Sequence, residues 1–185
     1  TATETVYSFY TEVAGVLGFD TPEDIAIIQK GETLEDTKSI DKVKEILENH
    51  DLKINEHHIV KNIKVKNESK GTNDDIRDEI LIMSNSDYNK LAITQGKDQI
   101  VVKEGEAIYN FPYIIYDVNG KPDETKRFPL ETVKLNLNGE TSEYKVSGEI
   151  HGGIMSLFKV GYFDALVLND NDFAYELAIS KEKNI

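Results

Sequence analysis

The chain has 185 residues and no cysteine, which excludes disulfides, thiolate nucleophiles and cysteine-ligated zinc or iron–sulfur sites. Hydrophobic residues make up 39%, enough for a real core in one domain, or in one domain with two lobes. A net charge of −13 argues against a nucleic-acid partner, because such binding is driven largely by Lys and Arg neutralising phosphates.

The acid is uneven: residues 1–60 hold 13 Asp and Glu against 5 Lys, while residues 61–110 are near neutral. That excess serves solubility and also favours cationic partners. The longest apolar stretch near the start, VAGVLGF (13–19), falls far short of the ~20 residues a membrane helix needs. The chain opens on TATETVYSFYTEVAGV without a Met or a basic leader and stops at SKEKNI just after a helical segment, so it is expected to be a piece of a longer protein.

In chain order, Val6, Phe9, Tyr10, Val13 and Leu17 are spaced as one helical face, with Gly18 as its stop. A short strand is expected at Ile25–Ile28. Ser39 is the expected cap of a second helix whose apolar face is Ile40, Val43, Ile46 and Leu47. Leu52–Lys66 alternates as a strand, and 67–75 is a polar loop. Strand Ile80–Met83 then leads into a helix from about Ser86 to Gln95, stopped at Gly96. Further strands are expected between 98 and 121, interrupted by Pro112 and closed by a turn at Asn119-Gly120. Val133, Leu135 and Leu137 alternate into Asn138-Gly139, a type I′ hairpin signal. The loop HGGIMSLFKVGYF (151–163) leads to a last strand and helix. The expected fold is α+β with a mixed sheet, strand–helix units used twice and a β-hairpin. This order is compatible with two lobes, 19–110 with 164–185 and 111–163.

Catalytic and metal-binding patterns do not emerge. His57 and His58 are adjacent and face opposite ways in a strand, His50 and His151 stand apart, and no H-E-x-x-H spacing occurs. The calcium-like stretches DVNGKPDE (117–124) and NDND (169–172) fail the EF-hand spacing, since Gly120 comes too early and Ala174 occupies a ligand position. The first reads as a turn and the second as helix capping. No nucleophile elbow, P-loop or dinucleotide fingerprint is present, and HGGI lacks the matching serine. No catalytic residues, metal ligands or cofactor are expected, and no ligand-binding residues can be named. NFPYIIYD (110–117) reads as a buried strand with Pro112 at an edge or bulge, or as an exposed apolar patch.

DEILIMSNSDYNKLAI (78–93) is echoed by DALVLNDNDFAYELAI (164–179) at an offset of 86. The copies share Asp78/Asp164, Asn85/Asn171, Leu91/Leu177, Ala92/Ala178 and Ile93/Ile179. Both strands are continuous aliphatic runs, as expected for strands covered on both faces. Ser86 and Asp172 are the expected helix caps, and Tyr88, Leu91, Phe173 and Leu177 are expected to pack back on the sheet. Neither copy supplies a nucleophile or base, so the unit reads as scaffold.

A strand followed by S-x-S-D-Y-N-K-L, then K-E-G-E-A, a hairpin, and D-A-L-V-L-N-D-x-D-F resembles the large extracellular domain of FtsX-like ABC-transporter permeases. More narrowly it is similar to the bacitracin-resistance (BceB-like) permeases of Firmicutes. The likeness covers Glu79–Ala107 and Thr132–Leu177 best. It implies a non-enzymatic sensor and transmission domain on the outer face of the cell membrane, flanked by membrane helices. The implied partners are cationic or lipid-II-targeting antimicrobial peptides, a cytoplasmic ATPase subunit and a sensor histidine kinase. The alternatives are another FtsX-like ectodomain, handling lipoproteins or activating a cell-wall hydrolase, and a secreted hydrolase with an unrecognised site.

Overall fold

The computed structural model describes residues 2–21, 24–29, 40–53, 57–69, 77–111, 116–122, 131–151 and 164–182. Helix α1 (Ala2–Leu17) buries Phe9, Val13 and Ala14. It ends where Gly18 adopts φ 79°, letting the Phe19 N–H reach back to the Ala14 carbonyl at 2.8 Å. Strand β1 (Ile25–Gln29) precedes α2 (Ile40–Asn49), whose Val43 and Leu47 are fully buried one turn apart. These residues and Ile59 form one apolar cluster, which seats the α1–α2 layer on the β1–β2 edge of the sheet. Leu52, expected to open a strand, instead closes α2: its N–H reaches the Leu47 carbonyl at 2.9 Å across Asp51 at φ 57°.

The remaining elements are β2 (His57–Asn67), β3 (Glu79–Ser84), α3 (Asn85–Thr94), β4 (Glu106–Phe111), β5 (Thr132–Leu137), β6 (Glu140–His151), β7 (Asp164–Leu168) and α4 (Asp170–Glu182). The described strands form a mixed sheet in the order β1-β2-β3-β7-β4-β6-β5. β3 and β7 run parallel, as do β4 and β6, and the other neighbours are antiparallel. The fold is therefore α+β with a mixed sheet, as the element order predicts. A further pairing brings β5 back to β2 through Lys66↔Asn136 and Asn67↔Leu135. Side chains reinforce this closure, with the Lys134 N–H donating to Ser69 Oγ at 2.6 Å and Asn136 Nδ2 to Glu68 Oε1 at 2.8 Å. Six strands thus close into a barrel-like ring, with β1 added outside it.

Period-2 alternation divides the core. Ile63, Val65, Ile80, Ile82, Tyr109, Phe111, Val133, Leu135 and Leu166 fill the concave side together with Phe173 and Ile179 of α4. Leu81, Met83, Ala165 and Val167 point the other way, against Tyr88, Leu91 and Ala92 of α3. β3 and β7 are buried on both faces, which explains their unbroken aliphatic runs. The two strand–helix units hence lie side by side with their helices on opposite faces. β5 and β6 share the sheet and the concave core with strands from both ends of the chain. Their hairpin turns at Asn138 (φ 55°) and Gly139 (φ 86°), the two positive values a type I′ turn requires. Ser39, Pro112 and the loop at 152–163 lie outside the described residues.

Candidate functional site

Parallel pairing puts the carboxyl ends of β3 and β7 together, and each strand feeds directly into its helix. Exposed N–H groups of two helix starts therefore meet at one end of the sheet, the place where open α/β sheets build sites. Here the protein's own side chains fill that place. Ser84 caps α3, its Oγ accepting the Asp87 N–H at 3.1 Å. Asn169 caps α4, its Oδ1 accepting the Asn171 N–H at 2.9 Å and its carbonyl the Phe173 N–H at 2.9 Å. The caps expected at Ser86 and Asp172 are thus displaced. Both residues sit inside their helices, and the pairing of Ile80 with Asp164 sets the strands in register at 84 rather than at the sequence offset of 86.

Ser86 and Asp172 still have polar duties. Asp170 Oδ1 accepts the Ser86 N–H at 2.9 Å and its Oδ2 accepts the Ser86 hydroxyl, so the second unit helps to cap the first. Asp172 Oδ2 accepts the Gly105 N–H at 2.8 Å. Between α3 and β4 the extended segment 98–103 lies outside the sheet ladders, although strands were expected there. It is bound by side-chain amides instead. Asn89 Oδ1 accepts the Ile100 N–H and Asn85 Oδ1 the Val102 N–H, both at 2.8 Å. Asn85 and Asn89 both donate to the Ile100 carbonyl, and Asn169 donates to that of Val102 at 3.0 Å. Val102 is buried against α3 while Val101 points outward, 87% exposed.

Beside this junction a cleft of about 370 Å³ opens between β2 and α4. Ile59, Phe173, Ala174 and Leu177 supply an apolar wall, and Lys61, Ser84, Ser86, Asp87, Lys90 and Asp170 a polar end. Asp87 is buried. Desolvation raises its pKa, opposed by the Lys61 N–H at 2.8 Å and by the ammonium of Lys90 at 3.6 Å. Both carboxylates at the polar end are thus held by donors of the chain itself.

Two tyrosine–carboxylate pairs are buried elsewhere in the concave core. Tyr109 donates to Asp164 Oδ2 at 2.6 Å, and Tyr144 to Glu176 Oε1 at 2.6 Å. Each acid keeps one buried oxygen, Asp164 Oδ1 or Glu176 Oε2, that finds no partner among the described residues. Burial is the main cause of the raised pKa of Asp164, and burial with the Glu176 charge drives that of Tyr144 upward.

No protein-family model matches this chain, and no curated protein is significantly similar to it. Two of the histidines pair with single glutamates. His50 bonds Glu12 at 3.0 Å and packs on Phe9, while His151 bonds Glu149 at 3.3 Å and stacks on Phe111. Among the described residues no group of three or more His, Asp or Glu could hold a metal ion. Asp117 makes the expected turn, accepting the N–H groups of Asn119 at 2.8 Å and Lys121 at 3.0 Å. From the run NFPYIIYD, Asn110 and Phe111 are buried and Tyr116 is exposed, with 112–115 outside the described residues. Sequence reading missed the cleft, because Ile59 and Lys61 join α4 only through tertiary pairing. The amide clamp had one signal in the sequence, the Asn85–Asn89 spacing of one helical turn.

Proposed function

We propose that this chain is a ligand-recognising and force-transmitting extracellular domain of an FtsX-like ABC-transporter permease that acts on peptide antibiotics. One observation carries the reading. The segments that bear the family likeness, S-x-S-D-Y-N-K-L, K-E-G-E-A and D-A-L-V-L-N-D-x-D-F, meet in one interlock of helix caps and amide clamps. Their polar side chains bind backbone or one another, which suits a stiff transmitting element better than a reaction centre. On this reading the chain hydrolyses nothing, and a separate ATPase subunit drives the transporter.

Charge supports a cationic ligand. The α1–α2 layer exposes Glu12, Asp41, Glu45, Glu48 and Asp51, an acidic face at which a basic peptide would concentrate. No helix among the described residues is long and apolar enough to cross a membrane, and the proposal takes its anchors from other segments of the permease. Isothermal calorimetry against bacitracin, nisin-like and polymyxin-like peptides, with and without a lipid pyrophosphate, tests the reading. Saturable binding that weakens when Glu45, Glu48 and Asp51 are changed to Gln supports it. A full-length gene product without flanking apolar helices overturns it.

A further inference from the structure

We propose that the cleft between β2 and α4 is a binding site for a carboxylate attached to a compact apolar body. The cleft's volume of about 370 Å³ lies within the range of small-ligand sites, roughly 300–1,000 Å³. Its side wall is one face of α4, where Phe173 and Leu177 stand one helical turn apart with Ala174 beside them, facing Ile59 of β2. That wall fits an apolar chain of a few carbon–carbon bonds or a single aliphatic side chain.

Two lysines and two carboxylates stand at the polar end, so the headgroup is decided by which of them is already engaged. The carboxylates there are already engaged: Asp170 accepts two bonds from Ser86, and Asp87 is held by the Lys61 N–H and by Lys90. Lys61 is different. Its backbone N–H serves Asp87 and its charge also acts on that carboxylate, but Asp87 already has Lys90 at 3.6 Å, and the Lys61 ammonium makes no ion pair within 4.0 Å among the described residues. It is half-buried, lines the polar end of the cleft, and shares one face of β2 with Ile59 and Ile63. An ammonium so placed attracts an anion, and an amine would meet it as a like charge. Lys61 therefore receives the carboxylate while the α4 wall takes the apolar body.

Such a group comes from two sources, a short acyl acid or the free C-terminus of a peptide ending in an aliphatic residue. The site does not depend on the acidic α1–α2 face, so either proposal can fail without the other. The test is an amide-resolved NMR titration of the 185-residue chain with octanoate, 1-octanol and octylamine. Octanoate is expected to saturate, shifting the amides of Lys61, Ala174 and Leu177, and to bind about tenfold more tightly than octanol. Lys61→Gln removes that advantage while leaving octanol binding unchanged, and Lys61→Arg retains it. An Ala-Leu-Leu tripeptide with a free C-terminus, set against its C-terminal amide, separates the peptide source from the acyl source. Octylamine binding as well as octanoate, or equal octanoate affinity in a folded Lys61→Gln protein, overturns the proposal.

Discussion

Asp170, the first residue of α4, accepts both the backbone N–H and the hydroxyl of Ser86, the second residue of α3. The helices lie on opposite faces of the sheet, so this contact joins the two strand–helix units at their shared edge. The capping of α3 is thereby split between its own Ser84 and the neighbouring unit. Asp170→Ala is expected to cost about 1 kcal/mol, the usual value of a helix cap. Ser84→Ala should cost a similar amount. In urea unfolding the double substitution is expected to be non-additive, because both residues serve successive N–H groups of one helix turn.

Local chemistry made much of this fold readable. Helices stopped by Gly18 and Gly96, the Asn138-Gly139 turn and the doubly buried runs at β3 and β7 all follow from rules acting within a few residues. Assignment of the caps failed for a physical reason. Matching residues at an offset of 86 ignores that parallel pairing aligns Ile80 with Asp164, and that α4 starts from Asn169. The sequence predicts strand over 98–103, yet side-chain amides bind its backbone where a neighbouring strand would. The cleft was not legible at all, since Lys61 and Phe173 are brought together only by the pairing of β2, β3 and β7, strands distant in sequence.

The amide clamp predicts a dynamic outcome. Asn85 binds both the Val102 N–H and the Ile100 carbonyl, and no ladder bond supports either. Asn85→Ala should speed hydrogen exchange of the Val102 amide by about tenfold or more, with little change in the β3 and β7 amides. Exchange accelerating equally across the sheet would mean that Asn85 supports the whole fold rather than this segment.

Tyr144 and Glu176 predict an asymmetry between single and double substitutions. Tyr144→Phe leaves the buried Glu176 carboxylate without its hydroxyl donor, at an expected cost of about 2–3 kcal/mol in urea unfolding. Adding Glu176→Leu removes the stranded charge and should recover part of that loss. No recovery would show that the phenol's packing, rather than its hydrogen bond, supplies the stability.

Asp164 makes the pH dependence specific. It is wholly buried, with Oδ2 held by Tyr109 and by the Arg77 N–H at 3.2 Å and with no partner for Oδ1 among the described residues, so desolvation outweighs these bonds and raises its pKa. The folded state then holds this proton more tightly than the unfolded chain, where the group titrates at about 3.9. Stability must therefore fall as pH rises from the unfolded value through the raised folded one, with the penalty absent below that window and complete above it. Asp164→Asn keeps an oxygen for Tyr109 and removes the charge. Asp24 and Asp87, also raised by burial, remain in both proteins and cancel in the comparison. The stability of Asp164→Asn relative to the native chain, measured by urea unfolding from pH 3.5 to 8, should climb with pH and then level off. A flat difference would place the proton elsewhere, and a falling one would mean that Tyr109 and Arg77 outweigh the burial of the charge.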